Sequence, residues 1–174
     1  MNHKLLAVFS CLLVLTFGSI KVNGQSNDAE PKQKLVHSVG AAAGFTTGYG
    51  LSYRYRPGKF GVQGTFAPYS SGDVKTFSTG VTFLYTILEN SSSNLYIYQG
   101  NHYFYHSFIG STYEANGTYT TKRYTDSYMN NGLGVGIELI VAKRVGLNLM
   151  GGYAAYENFS GLNLTGEVAM YYKF

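Results

Sequence analysis

The last stretch of the chain, 162–174, alternates without a break. Leu162, Leu164, Gly166, Val168, Met170, Tyr172 and Phe174 fall on one face, and Asn163, Thr165, Glu167, Ala169, Tyr171 and Lys173 on the other. Period two belongs to a strand whose two faces meet different surroundings. The pattern recurs upstream. In 145–153, Val145, Leu147, Leu149, Gly151 and Tyr153 alternate with Gly146, Asn148, Met150 and Gly152; in 133–141, Leu133, Val135, Ile137, Leu139 and Val141 alternate with Gly134, Gly136, Glu138 and Ile140. Segment 74–88 sets Phe77, Val81, Phe83, Tyr85 and Ile87 against Thr76, Ser78, Gly80 and Thr82. Segments 59–68 (Phe60, Val62, Phe66 against Gln63, Thr65), 49–56 (Leu51, Tyr53, Tyr55 against Ser52, Arg54, Arg56) and 35–45 (Val39, Ala41, Ala43, Phe45) follow suit. The tyrosine-rich segment 93–107 reads as a strand whose facing the pattern leaves open.

Eight strands result, with turns expected at Thr46–Gly48, Pro57-Gly58, Ser70–Asp73, Glu89–Ser92, Lys143-Arg144 and Asn158–Gly161, and one long connection near 109–127. No long segment shows a helical apolar stripe. Composition agrees: charged residues make up 13% of the chain, about half the usual quarter, while there are 22 Gly and 17 Tyr. Such a chain is neither a coiled coil nor a charge-rich disordered segment.

The first residues have a different pattern, that of an export signal. Lys4 precedes an apolar run from Leu5 to Phe17, and Val22-Asn23-Gly24 offers small residues for cleavage, so 1–24 reads as a secretory signal peptide. The run is too short to span a bilayer, which takes about 20 residues. Residues 25–34 read as a polar, flexible lead-in, leaving 35–174 as one domain. The single Cys, Cys11, leaves with the signal, so no disulfide holds the exported chain. Lys4 and Lys21 leave too, and the 13 basic residues become 11 against 9 acidic; this near balance gives no reason to expect a nucleic-acid partner.

What the second face carries decides the solvent. A soluble barrel buries apolar side chains and shows charge outward, whereas a membrane barrel inverts the two. Here the second face holds Gly, Ser, Thr and Asn with an isolated Arg or Glu per strand. That suits a narrow interior in which Arg54 and Arg56 are expected to meet Glu138 and Glu167, since an unpaired buried charge is costly. The expectation is an all-β, eight-stranded antiparallel up-and-down transmembrane β-barrel. Loop parity fits it: with the C-terminal end of the last strand on one side, the long connection Ile109–Tyr128 falls on the other, and the turns on the first side are short.

The terminal Tyr172-Lys173-Phe174, with apolar or small residues alternating back to Leu162, looks like the C-terminal strand read by outer-membrane assembly machinery. With the signal peptide and the size of the barrel segment, the chain resembles the small eight-stranded outer-membrane β-barrels, such as the opacity proteins and the transmembrane domain of outer membrane protein A. The resemblance covers 35–174. It implies a Gram-negative-type envelope, the outer-membrane bilayer as surroundings, and insertion by the barrel assembly machinery with periplasmic chaperones. Val168, Met170, Tyr172 and Phe174 would then form the assembly signal. It transfers no activity.

Chemistry is sparse. Of His37, His102 and His106, the last two stand four apart without nearby Asp, Glu or Cys, which makes a metal site improbable. His106-Ser107 invites comparison with lipid-modifying barrel enzymes such as lipid A deacylases, but adjacent strand residues point to opposite faces. Gly132-Leu133-Gly134-Val135-Gly136 has no helix after it and reads as an inward glycine ladder, not a nucleotide loop. Asn-x-Ser/Thr at Asn90, Asn116, Asn158 and Asn163 reads as chance. The connection 109–127 combines Tyr113, Tyr119 and Tyr124 with Lys122 and Arg123, a surface suited to adaptable contacts. The resulting expectation is a monomeric structural or surface-exposed barrel with no catalytic residues, cofactor or metal. Adhesion or ligand contact would run through 109–127. A lipid-modifying enzyme and a soluble barrel carrying a hydrophobic ligand are the alternatives.

Overall fold

The computed structural model describes residues 35–113 and 119–174. The expected signal peptide and lead-in, 1–34, lie outside these residues, as does Asn116. Eight strands form one closed antiparallel ring in chain order: β1 (His37–Gly44), β2 (Gly48–Tyr55), β3 (Phe60–Ser71), β4 (Val74–Glu89), β5 (Ser93–Tyr113), β6 (Tyr119–Ala142), β7 (Val145–Tyr156) and β8 (Gly161–Lys173). Closure runs through β1 and β8, from Ser38 opposite Lys173 to Gly44 opposite Glu167. A closed ring leaves no unpaired edge in a bilayer, where an unsatisfied peptide group costs several kcal/mol.

The two faces are inverted relative to a soluble barrel. Leu51, Leu162 and Leu164 on the outer face are 71–75% exposed, while Gln63, Thr82 and Asn148 on the inner face are fully buried. An apolar exterior and a polar, packed interior define a transmembrane β-barrel. Within the lumen, Leu84, Tyr96, Tyr98 and Met150 form one apolar cluster and Ala42, Ala169 and Tyr171 another. The glycine ladder faces inward to make room for these rings: a Cβ on Gly136 would lie 2.5 Å from Tyr96 Cε2, and one on Gly134 2.8 Å from Tyr98 Cε1. The open facing of 93–107 resolves with Asn94, Tyr96, Tyr98 and His102 buried inward.

The wall is uneven. β1 and β2 have 8 residues each, whereas β5 has 21 and β6 has 24. The expected long connection 109–127 is therefore mostly strand. β5 and β6 stay paired without a register shift up to Tyr113 opposite Tyr119, and only 114–118 lie outside the described residues. The segment reads as loop because Thr occupies both of its faces and Lys122 and Arg123 fall on opposite ones. Alternation fades where both faces are equally exposed, while Thr and Tyr keep their β preference.

At the low side of the wall the turn between β1 and β2 bends into the lumen. Thr46 and Thr47 are fully buried. Glycines on three strands clear their seat: a Cβ on Gly80 would strike the Thr47 carbonyl, one on Gly100 would lie 2.6 Å from Thr46 O, and one on Gly132 2.6 Å from Thr46 Cγ2. Gly48, at φ 79°, supplies the left-handed backbone that brings the chain back to the wall.

Candidate functional site

Two places concentrate chemistry: the lumen and the tall β5–β6 hairpin. Alternation aims Arg54 of β2 inward, where it is 2% exposed. Its Nη1 donates to Asn148 Oδ1 at 2.8 Å and lies 3.6 Å from Glu138 Oε1; its Nη2 donates to Gln63 Oε1 at 2.8 Å. The guanidinium also sits 4.2 Å from the centroid of the Tyr171 ring, a cation–π distance. Arg56 Nη2 reaches Glu138 Oε2 at 2.8 Å, Lys173 Nζ reaches the same oxygen at 3.0 Å, and Asn94 Nδ2 donates to it at 2.7 Å. Glu138 is thus a buried carboxylate held by three cations and an amide.

The structure does not bring Glu167 to the arginines, a correction to the expected four-residue network. In the sheet Glu138 stands opposite Asn148, and Asn148 opposite Ala169, so the β8 residue in that row is Ala169. Glu167 lies one inward position away from that row, toward the inserted turn. Its Oε1 accepts from Thr46 Oγ1, from Tyr98 OH at 3.3 Å and from Thr165 Oγ1 at 3.5 Å. Lys173 takes the place expected for Glu167 as a further member of the network. Alternation puts Lys173 on the polar face, but its partner depends on the register between strands.

The histidines serve the wall and the turn. His102 bonds Phe45 O through Nδ1 and Ser78 Oγ through Nε2, each at 2.9 Å, and Asn130 Nδ2 donates to the same carbonyl at 3.0 Å. His106 Nδ1 pairs with Thr76 Oγ1 at 2.9 Å. Asp126 stands opposite His106 in register, but no side-chain hydrogen bond joins them. Ser107 faces away from His106 and accepts from Arg123 Nη1 and Thr125 Oγ1, each at 3.3 Å.

On the hairpin, Tyr113 and Tyr119 meet edge to face at 4.9 Å across its upper end. Tyr124 stacks on Phe108 at 5.4 Å, and its hydroxyl lies 3.4 Å from Thr112 Oγ1. Lys122 and Arg123 are exposed. At the other end of the barrel, Val168, Met170 and Tyr172 line the outer face of β8, and Phe174 N donates to His37 O at 2.9 Å. The Phe174 ring stacks on His37 at 5.8 Å.

An inverted ring of eight strands with a filled lumen is the transmembrane barrel class. No protein-family model matches the chain, and no curated protein does. Solved structures do. The N-terminal β-barrel domain of Pseudomonas aeruginosa OprF aligns over 79% of this chain and 95% of its own, with TM-score 0.52 and 10% identity. Neisserial surface protein A aligns over 79% and 94%, with TM-score 0.46 and 16% identity. A major outer membrane protein from Thermus thermophilus aligns over 79% and 98%, with TM-score 0.45 and 16% identity. At 10% identity the likeness to the OprF domain is one of fold.

Proposed function

We propose that the chain is a small outer-membrane barrel protein, a monomer within its bilayer, that presents the β5–β6 hairpin to the exterior. The observation that carries this reading is the inversion of the two faces, with leucines outside and Arg54, Gln63, Glu138 and Asn148 inside. Export through 1–24, passage with periplasmic chaperones and insertion by the barrel assembly machinery follow from the same reading. Val168, Met170, Tyr172 and Phe174 then act as the assembly signal. The hairpin, with Tyr113, Tyr119, Lys122, Arg123 and Tyr124, is the contact surface, and no catalytic step is assigned. Side chains and the inserted turn occupy the lumen, which disfavours both a pore and a carrier of hydrophobic ligands.

Fractionation of cells expressing the full chain tests this, with electrophoresis of the membranes before and after boiling. Recovery with the outer membrane as a heat-modifiable band is the expected result. A soluble periplasmic protein would overturn it.

A further inference from the structure

We infer that the free edge of β6 over Thr121–Ser127 is a homotypic docking strand, pairing antiparallel with the same strand of a second copy anchored in a facing membrane. The inference rests on the reading that the hairpin projects from the bilayer.

Inside the ring every strand has two neighbours; the upper part of β6 has one. Pairing of β6 with β7 begins at Asn131 opposite Ala155. Just above, Asn158 closes the edge: Met129 N donates to Asn158 Oδ1 and Asn158 N to Met129 O, each at 3.0 Å. Beyond that point no described strand lies on this side of β6, and Thr121–Ser127 are all exposed. Seven strand residues span about 23 Å. Edges of this length are ordinarily blunted by proline, a bulge or charged side chains, and the charges on this one, Lys122, Arg123 and Asp126, are of both signs. Here there is no proline, and the β5–β6 register runs without a shift.

The charges commit the edge to its own copy. Lys122 and Asp126 stand symmetrically about Tyr124, all three on one face of the strand. Antiparallel pairing centred on Tyr124 sets Lys122 opposite Asp126 of the second copy, twice over, with Tyr124 opposite Tyr124 and Thr121 opposite Ser127. Neither charge has an ion-pair partner among the described residues of its own chain. Sliding the centre by one residue in either direction breaks both pairs. Centring on Lys122 or on Asp126 sets like charges face to face, so a single register is favoured.

The symmetry fixes where the second barrel lies. A two-fold axis normal to the ribbon reverses strand direction, so the two copies of β6 descend into their barrels in opposite senses. The barrels then sit at opposite ends of a four-stranded ribbon, one in each of two apposed membranes. This isologous contact joins membranes and does not crowd barrels within one.

Vesicles carrying the full-length protein provide the test. Insertion is checked by heat-modifiability and hairpin access by tryptic cleavage at Lys122 or Arg123. Wild-type vesicles should cluster. Lys122→Asp and Asp126→Lys should each slow clustering at least about tenfold, because both pairs become like-charged. Mixing the two variant populations should restore it, since each aspartate of one population then meets a lysine of the other in both pairs. Unchanged clustering by either variant alone, or no rescue on mixing, would overturn the pairing. So would inserted, cleavable wild-type protein that does not cluster, or clustering with protein-free vesicles, which would mark a lipid-binding hairpin. Loss of heat-modifiability in the wild type would overturn the membrane reading, and the pairing with it.

Discussion

Among the described residues the lumen contains two buried glutamates, and their surroundings differ completely. Glu138 faces Arg54, Arg56 and Lys173, three cations around one acid. Glu167 faces hydroxyls, from Thr46, Tyr98 and Thr165. The excess positive charge around Glu138 is tolerable because Arg56 and Lys173 are only partly enclosed and lie near the strand ends that carry the chain terminus. Their side chains keep 16% and 10% of their surface exposed, against 2% for Arg54. Arg54 has no such outlet. The comparison separates two uses of a luminal acid: one neutralises a cation the fold has buried, and the other pins a turn. Only the first requires that the acid be charged.

The same chemical change at the two sites should therefore have unequal effects. Glu138→Gln strands the Arg54 guanidinium and is expected to cost about 3–5 kcal/mol, the usual result of removing one partner from a buried pair. The urea midpoint of the heat-modifiable band would measure it. A loss below about 1 kcal/mol would mean that Asn148 and Gln63 suffice for Arg54. Adding Arg54→Met to that variant should recover most of the loss, since a buried pair replaced by apolar groups is often neutral.

Next in size is Gly80→Val, which places a side chain against the Thr47 carbonyl and should cost about 1–3 kcal/mol by overpacking. Its readout is hydrogen exchange at Thr46 and Thr47: rapid exchange is expected as the turn leaves the lumen. Protected amides with unchanged stability would show that the seat is not needed. Smallest is Glu167→Gln, which keeps an amide oxygen for Thr46 and Tyr98 and should stay within about 1 kcal/mol. A loss as large as that of Glu138→Gln would erase the distinction between the two sites.

The face of each residue is more legible in the sequence than its neighbours are. Alternation alone puts Arg54, Arg56, Glu138, Glu167 and Lys173 on the inward side. Which of them meet depends on how strands slide past one another, and that offset is not written into any one strand. Hence Glu167, expected at the arginines, stands beside the turn. The hairpin is hidden for a different reason: over Thr121–Ser127 both faces of β6 are exposed, and the period-two signal fades. The inserted turn is harder still to read. Its seat comes from Gly80, Gly100 and Gly132, on three strands, and nothing local to Phe45–Thr47 announces it.

That turn also bears on how the ring is completed. Thr46 and Glu167 are 121 positions apart in sequence, yet the first hairpin and the last strand share a hydrogen bond inside the cylinder. The seam between β1 and β8 is sealed by strand pairing and by this internal latch at once. The Phe45 carbonyl is held at the same time by His102 of β5 and Asn130 of β6. Unzipping the seam therefore disturbs the far wall as well. Opening the native seam must break the strand pairing, the latch and the grip on the Phe45 carbonyl together, a tie that its short strands alone do not supply.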